Sequence, residues 1–232
     1  VPTQFDSDDS IDFAAFEGCW ERRIQAGATA LGVCGTTGEA PTLSHAEHRD
    51  LARAAVAVAG GRVPVIVGAG SNATAHAIEL SRDAEAAGAD ALLSVVPYYN
   101  KPTQAGLHAH FRTISESCGL PLILYDVPSR TSCRLNDETI VRLAEWPHIV
   151  GLKDATGDTN RPLRLRSLIG SDFRLFSGDD TTAHAFLLNG GDGCISVTSN
   201  LMPALCCSLF ARLRGDKPAI MQPLLAPFAA MT

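Results

Sequence analysis

The sequence predicts an α/β fold, a (β/α)8 barrel in which most of the first strand is absent from the chain. Segments with helical apolar periodicity alternate with short apolar runs, and strands joined through helices in this way pair in parallel. A glycine that ends a helix is followed by a strand at residues 27–31, 88–92 and 191–195. Seven strands are recognisable, and residues 1–3 can supply the end of an eighth. A doubly wound open sheet is the alternative, although no Gly-x-Gly-x-x-Gly turn follows the first strand.

The predicted elements follow in order from local signals. Asp12 can cap the first helix, which Gly27 ends, and Ser44 with Glu47 forms a capping box for the second. Helices are predicted for residues 12–27, 44–60, 72–88, 103–119, 136–145, a short segment up to 170, and 181–189, with a last helical stretch near the end. Strands are predicted for residues 30–34, 63–68, 91–96, 122–125, 149–153, 174–177 and 193–197.

The composition excludes several classes of function. A chain of 232 residues with 46% hydrophobic and 19% charged residues is typical of a globular domain with a full core. The net charge of −6 and the lack of a basic cluster argue against a nucleic-acid partner. No apolar run is long enough for a membrane span, and no secretory leader is recognisable. Seven cysteines without Cys-x-x-Cys spacing indicate reduced core residues of a cytoplasmic protein.

One predicted strand, residues 149–153, is chemically unusual because it ends in a lysine. Burial disfavours the ammonium form, so Lys153 is expected to have a lowered pKa and a nucleophilic amine near neutral pH. The chain has only two other lysines, Lys101 and Lys217, and both lie in predicted loops. The alternative is that Lys153 extends from the strand end to water, with only its stem buried.

Polar residues follow most of the predicted strands, and the carboxyl ends of barrel strands meet at the face where catalysis takes place. All three tyrosines of the chain belong to these segments, which favours a catalytic role over ordinary packing. The segments contain no histidine, so a histidine-based triad is not expected. They are residues 35–39, 97–100, 125–131, 153–154, 177–180 and 196–200.

Other candidate sites have weaker signals. His45 and His48 lie three residues apart early in a helix and can bind a metal, but a solvated helix start is the favoured interpretation. Residues 179–180 can bind Mg²⁺ and residues 190–193 can approach a phosphate, yet turn chemistry explains both patterns. No metal site is therefore predicted.

Five segments together resemble the signature sequences of the dihydrodipicolinate synthase family. They are residues 35–39, 97–101, 125–131, 151–157 and 177–180. This family of pyruvate-dependent class I aldolases belongs to lysine and diaminopimelate biosynthesis, within the N-acetylneuraminate lyase superfamily. The resemblance implies a barrel domain over residues 1–200 and the start of a truncated C-terminal helical region over 201–232. It also implies a cytoplasmic homo-oligomer, a dimer of dimers.

The resemblance also implies a role for each matching residue. Lys153 would form a Schiff base with pyruvate, and Tyr125 would carry protons, joined through Thr37 to Tyr99 of a neighbouring subunit. The implied catalytic residues are therefore Lys153, Tyr125, Thr37 and Tyr99. The implied substrate-binding residues are Thr36 and Thr37 for the pyruvate carboxylate and Arg130 for the carboxylate of aspartate 4-semialdehyde. Gly178 and Ile195 would line the wall of the substrate site.

The chemistry of these residue types agrees with the implied reaction. A protonated imine makes the pyruvate methyl group acidic, and the resulting enamine attacks an aldehyde. Each step moves a proton, which a phenol with a hydroxyl relay can do, so no cofactor is expected beyond the covalent imine on Lys153. Two alternatives remain: a sister pyruvate aldolase acting on a sugar acid, and a non-catalytic barrel. Arg130 and the doubled Thr36 and Thr37 favour the synthase.

A regulatory site is implied as well. Many family members are inhibited by lysine at a cleft between subunits, and the matching positions here are His48, Asn72, His76 and Tyr98. The family has a glutamate where this chain has His76. A neutral imidazole is a weaker acceptor for an ammonium group than a carboxylate, and a protonated one repels it. Lysine is therefore expected to inhibit weakly or not at all.

Overall fold

The structure, a computed structural model, describes residues 1–213 and contains one parallel sheet in that range. Each strand pairs with the next along the chain, so the sheet order is β1 to β7 without a reversal. The barrel prediction is confirmed, since a doubly wound sheet reverses its strand order at a switch point. The strands are β1 (Leu31–Val33), β2 (Val65–Gly68), β3 (Ala91–Val95), β4 (Leu122–Asp126), β5 (Ile149–Asp154), β6 (Arg174–Ser177) and β7 (Gly193–Cys194).

Helices connect the strands and cover the outer face of the sheet. They are α1 (Phe13–Gln25), α2 (His45–Ala59), α3 (Thr74–Ala87), α4 (Gln104–Ser115), α5 (Pro128–Thr131), α6 (Asp137–Leu143), α7 (Arg161–Leu168), α8 (Ala183–Leu188) and α9 (Pro203–Leu213). Both predicted caps are present. Asp12 accepts a hydrogen bond from the backbone of Ala15, and Ser44 and Glu47 form a reciprocal capping box. The single turn α5 was not predicted.

The last strand is shorter than the predicted residues 193–197. Its final residue is Cys194, although the backbone N–H of Ile195 still donates to Ser177 of β6 over 2.8 Å. Val197 has helical backbone angles and begins a 3-10 turn, so the chain turns away from the sheet before the predicted end. This early turn places residues 195–200 at the carboxyl end of the sheet.

Two hydrophobic layers hold the sheet. The larger layer lies between the sheet and the helices and includes fully buried residues such as Trp20, Leu92 and Leu152. The smaller layer lies on the other face and comprises Leu93, Ile123, Tyr125 and Val127. Because strand residues alternate between these faces, Tyr125 belongs to the inner layer and its neighbour Asp126 faces the helices.

Residues 1–3 lie along the free edge of β1. The nitrogen of Val1 donates to the carbonyl of Gly32 over 2.6 Å, and the Thr3 hydroxyl donates to the Gly38 carbonyl over 2.7 Å. This is where an eighth strand was predicted to end. The continuation of the predicted C-terminal region, residues 214–232 including Lys217, lies outside the described residues. Within residues 1–213, no helix is both long and apolar enough to cross a membrane.

Candidate active site

Lys153 lies at the carboxyl end of β5, directly opposite Tyr125 of β4 in the parallel register. Its ammonium nitrogen is 4.2 Å from the centre of the Tyr125 ring, and only 8% of the residue is exposed. Burial lowers the pKa of Lys153 to about 8, although Cys194 and Asp180 partly oppose this shift. The prediction of a buried lysine is confirmed, and the alternative of a lysine reaching water is wrong.

The lowered pKa has a direct chemical consequence. At pH 7, a lysine with a pKa of about 8 is roughly one-tenth neutral amine, whereas an ordinary lysine is neutral in less than about one part in a thousand. The neutral amine is the nucleophile that attacks a carbonyl carbon. Lys153 is therefore suited to form an imine.

The phenol of Tyr125 is the second group of the site. Burial raises the pKa of Tyr125, and both a hydrogen bond from Thr36 and the charge of Arg130 oppose that shift. The relay through Thr37 stays a prediction. Thr36 is the first residue of the turn Thr36–Gly38, and it lines the same small cavity as Tyr125.

A cavity of about 360 Å³ opens in front of Lys153, between the two edges of the sheet. Thr36, Thr37 and Ile195, which the family resemblance names as substrate-binding residues, contribute to its wall. Gly178 packs against the lysine stem, since a Cβ atom there would lie 3.0 Å from Cε of Lys153. A side chain at Gly178 would therefore require the lysine stem to shift by a few tenths of an ångström.

Two predicted site residues are exposed at the protein surface. Arg130 is exposed at the end of the short helix α5, which starts two residues after β4. Tyr99 is 87% exposed and has a positive φ of 71°, an uncommon conformation for a non-glycine residue. Within the single chain, Tyr99 is thus turned towards solvent and does not complete the predicted relay to Tyr125.

A buried arginine that the sequence reasoning missed holds the two strand ends together. Arg161 of α7 is fully buried, and its Nη1 donates to Asp126 over 2.8 Å and to Asp154 over 3.2 Å. These aspartates directly follow Tyr125 and Lys153 and face the opposite side of the sheet. In the sequence, the only indication of this contact was that an aspartate follows each of Tyr125 and Lys153. We describe Arg161, Asp126 and Asp154 as the arginine clamp.

A second cavity, of about 130 Å³, reaches the site from the side of α2 and α3. Three of the four predicted regulatory residues, His48, His76 and Tyr98, line it, and Tyr125 and Thr36 form part of its wall. His48 is buried, and its Nε2 is 2.7 Å from the carbonyl of Gly68. The fourth residue, Asn72, accepts a hydrogen bond through its carbonyl from the side chain of Asn100 over 3.0 Å.

The weaker predicted sites have structural explanations. Asp179 accepts hydrogen bonds from Thr181, and Asp180 accepts from the backbone of Val197 and Thr198, so both carboxylates stabilise turns. Asp192, in the glycine-rich segment, forms an ion pair with Arg166. These contacts agree with the interpretation of both segments as turn chemistry.

A buried lysine at the carboxyl end of a barrel strand, facing a tyrosine in an open cavity, defines a class I aldolase, which is a lyase. Comparison with known proteins identifies the family. The model of the Dihydrodipicolinate synthetase family matches residues 1–222, and the chain belongs to this family.

Individual relatives agree with this assignment. The chain is 51% identical to the 4-hydroxy-tetrahydrodipicolinate synthase of Rhodospirillum centenum over 94% of this chain and 76% of the relative. The crystal structure of the chloride-inhibited dihydrodipicolinate synthase of Acinetobacter baumannii complexed with pyruvate is 43% identical, with a TM-score of 0.96 over 100% of this chain and 79% of that one. The enzyme of Cyanidioschyzon merolae with lysine bound is 36% identical, with a TM-score of 0.95 over 98% and 78%.

Proposed function

We propose that this chain is a 4-hydroxy-tetrahydrodipicolinate synthase that condenses pyruvate with aspartate 4-semialdehyde through a Schiff base on Lys153. The observation that carries the proposal is the buried Lys153, with a pKa lowered to about 8, opposite Tyr125 and beside an open cavity. The curated relatives with this name, at about half identity, favour the synthase over a sister aldolase. An intact site of this kind also argues against a non-catalytic barrel.

The proposed reaction begins at the amine of Lys153. The amine attacks the carbonyl carbon of pyruvate, and loss of water leaves a protonated imine. The imine draws electrons from the methyl group, which loses a proton and becomes the enamine carbon. That carbon attacks the aldehyde of the second substrate, whose own amine then attacks the imine carbon. Ring closure breaks the bond to Lys153 and frees the lysine for another turnover, and this chemistry uses no cofactor beyond the imine.

The surrounding side chains support each of these steps. Tyr125 lies against the lysine and lines the smaller cavity together with Thr36, so this phenol and hydroxyl are positioned to carry the protons. Thr36 and Thr37 begin a turn at the cavity wall and can donate to the pyruvate carboxylate. Arg130 is close enough to influence the pKa of Tyr125, and its planar guanidinium suits the carboxylate of the second substrate.

The exposure of Tyr99 supports an oligomer. If the phenol completes a proton relay, it must do so in the site of a neighbouring subunit, because within its own chain it faces solvent. We therefore propose at least a dimer in which each Tyr99 crosses the interface, and a dimer of dimers by resemblance. Seven free cysteines suit the reducing environment of the cytoplasm, where we place the enzyme.

Borohydride trapping tests the covalent step. Incubation with pyruvate and borohydride should add one reduced pyruvate to Lys153, located by peptide mass spectrometry, and Lys153→Ala should abolish the adduct. Lys101→Ala, which changes an exposed lysine, is the matched control and should leave trapping intact. A second assay follows product formation from pyruvate and aspartate 4-semialdehyde. An adduct without product would identify a different pyruvate aldolase, and no adduct would overturn the proposal.

A further inference from the structure

A cluster of metal-ligating side chains lies on the surface of α2 and α3, outside the residues proposed for catalysis. It consists of His45, His76 and Glu79, and one ligating atom from each lies within 4.8 Å of the others. All three residues are exposed. We propose that this cluster, defined here as the helix-pair site, binds a divalent transition-metal ion such as Zn²⁺ or Co²⁺.

The geometry of two helices builds the helix-pair site. His45 is the first residue of α2, while His76 and Glu79 lie three residues apart near the start of α3 and therefore share a face of that helix. Helices α2 and α3 pack against each other, which brings His45 to the same place. The nearest sequence pattern, His45 with His48, is not the relevant pair, because His48 turns inward to the carbonyl of Gly68.

The separation of the ligating atoms suits a metal ion after a small adjustment. A tetrahedral ion with bonds of roughly 2.0–2.1 Å holds its ligands about 3.3 Å apart. The three groups must therefore approach one another by about 1.5 Å at most, starting from the 4.8 Å limit. Exposed side chains can do this by rotation. Two imidazoles and one carboxylate leave a fourth position for water, the donor set typical of open zinc sites.

Each imidazole is oriented by a second group. His45 Nε2 lies 2.6 Å from a carboxylate oxygen of Asp83, and His76 Nδ1 lies 3.4 Å from the hydroxyl of Ser71. In metal sites the non-ligating nitrogen of a histidine is commonly bonded to a carboxylate or another polar group in this way. Each imidazole has a second ring nitrogen that can bind an ion while the first keeps this partner. Glu79 and Asp83 also supply negative charge, which offsets the unfavourable dipoles of the two nearby helix starts.

The position of His76 connects the helix-pair site to the smaller cavity. His76 lines that cavity of about 130 Å³, and Tyr125 and Thr36 form part of its wall. An ion on His76 would lie at one end of a cavity whose other walls include the proposed proton relay. The inference concerns ion binding and does not depend on the proposed condensation activity.

Titration of the full chain with Co²⁺ tests the inference. The d–d absorption of the ion reports its coordination, and thiolate charge-transfer bands would reveal binding by cysteine instead. We expect one ion per chain, with affinity at least tenfold weaker in His45→Ala, His76→Ala and Glu79→Ala. Asp83→Asn should weaken binding by roughly 10–100-fold, as expected for a group that orients a ligand.

Control variants and a folding check accompany the titration. His148→Ala and Glu138→Ala change exposed residues elsewhere and should leave the titration unchanged. The helix-pair residues are exposed, so their variants should fold, and the melting temperature measured without metal checks this. Co²⁺ should raise the melting temperature of the unmodified chain but not that of His76→Ala. Equal binding by the unmodified chain and His76→Ala, thiolate bands, or no binding would each overturn the inference.

Discussion

Replacement of Arg161 by methionine tests whether the arginine clamp holds together the two strands that carry Tyr125 and Lys153. Methionine keeps most of the buried length of the side chain but removes the charge and every donated hydrogen bond. In the intact protein Asp126 and Asp154, both buried, receive bonds from Arg161, and Asp137 is a third partner at 2.9 Å. Asp137 keeps its ion pair with Arg164, so the main cost arises from the two buried carboxylates.

The expected loss of stability follows from the cost of leaving these two buried carboxylates without their partner. Removing one partner of a buried ion pair typically destabilises a protein by about 3–5 kcal/mol, because an uncompensated charge stays in the interior. That is a large share of the roughly 5–15 kcal/mol that stabilises a domain, and it corresponds to a fall in melting temperature of roughly 6–20 °C. The matched control is Arg164→Met on the same helix. Arg164 also pairs with two aspartates, but its side chain is 45% exposed, so the expected loss is below about 1 kcal/mol.

The loss should depend on pH in a defined direction. Burial raises the pKa of Asp126, and Arg161 is the group that opposes the shift, so the pKa rises further in Arg161→Met. Below about pH 4, the pKa of an unfolded aspartate, such a carboxyl is protonated in both the folded and the unfolded state and costs nothing. The cost grows as pH rises above that value and levels off above the folded pKa. The difference in stability between the variant and the intact protein should therefore be smallest near pH 4 and should increase as the pH rises.

The measurements are circular dichroism melts of the intact protein and both variants from pH 4 to pH 8, combined with kcat. Because the clamp positions Tyr125 and Lys153 without touching substrate, kcat should fall while the adduct with pyruvate still forms on Lys153. Addition of Asp126→Asn should restore part of the stability lost in Arg161→Met. A loss of less than about 1 kcal/mol at pH 8, or a loss equal to that of Arg164→Met, would refute the reasoning.

Three further predictions concern the site itself. The rate of pyruvate trapping on Lys153 should rise about tenfold per pH unit up to about pH 8 and then level off; a rise continuing to pH 10 would mean that the lysine titrates normally. Arg130→Ala should raise KM for aspartate 4-semialdehyde roughly tenfold to a hundredfold and leave trapping intact, whereas the control Arg134→Ala, also exposed, should change neither. Lysine should inhibit the unmodified enzyme weakly, and His76→Glu should lower the inhibitory concentration about tenfold; tight inhibition of the unmodified enzyme would contradict this.

Much of the fold and the buried lysine of the candidate active site were predictable from the sequence. Apolar periodicity and turn residues act over a few positions, so the alternation of strands and helices, the cap at Asp12 and the capping box at Ser44 were all evident. A lysine at the end of an apolar strand is likewise a local signal, and for that reason the sequence alone singles out Lys153.

Contacts between distant parts of the chain were decided only by the tertiary structure. Arg161 meets Asp126 across 35 residues, and His45 meets Asp83 across 38, and no local pattern relates such positions. Thr36 and Tyr125, which line the same small cavity, were likewise brought together only by the fold. The sequence by itself determined the order of strands and helices and the polar residues that follow most of the strands, because both are local patterns. The packing of helices on the sheet determined which residues at the strand ends come into contact. It also determined which residues between the sheet and the helices support them.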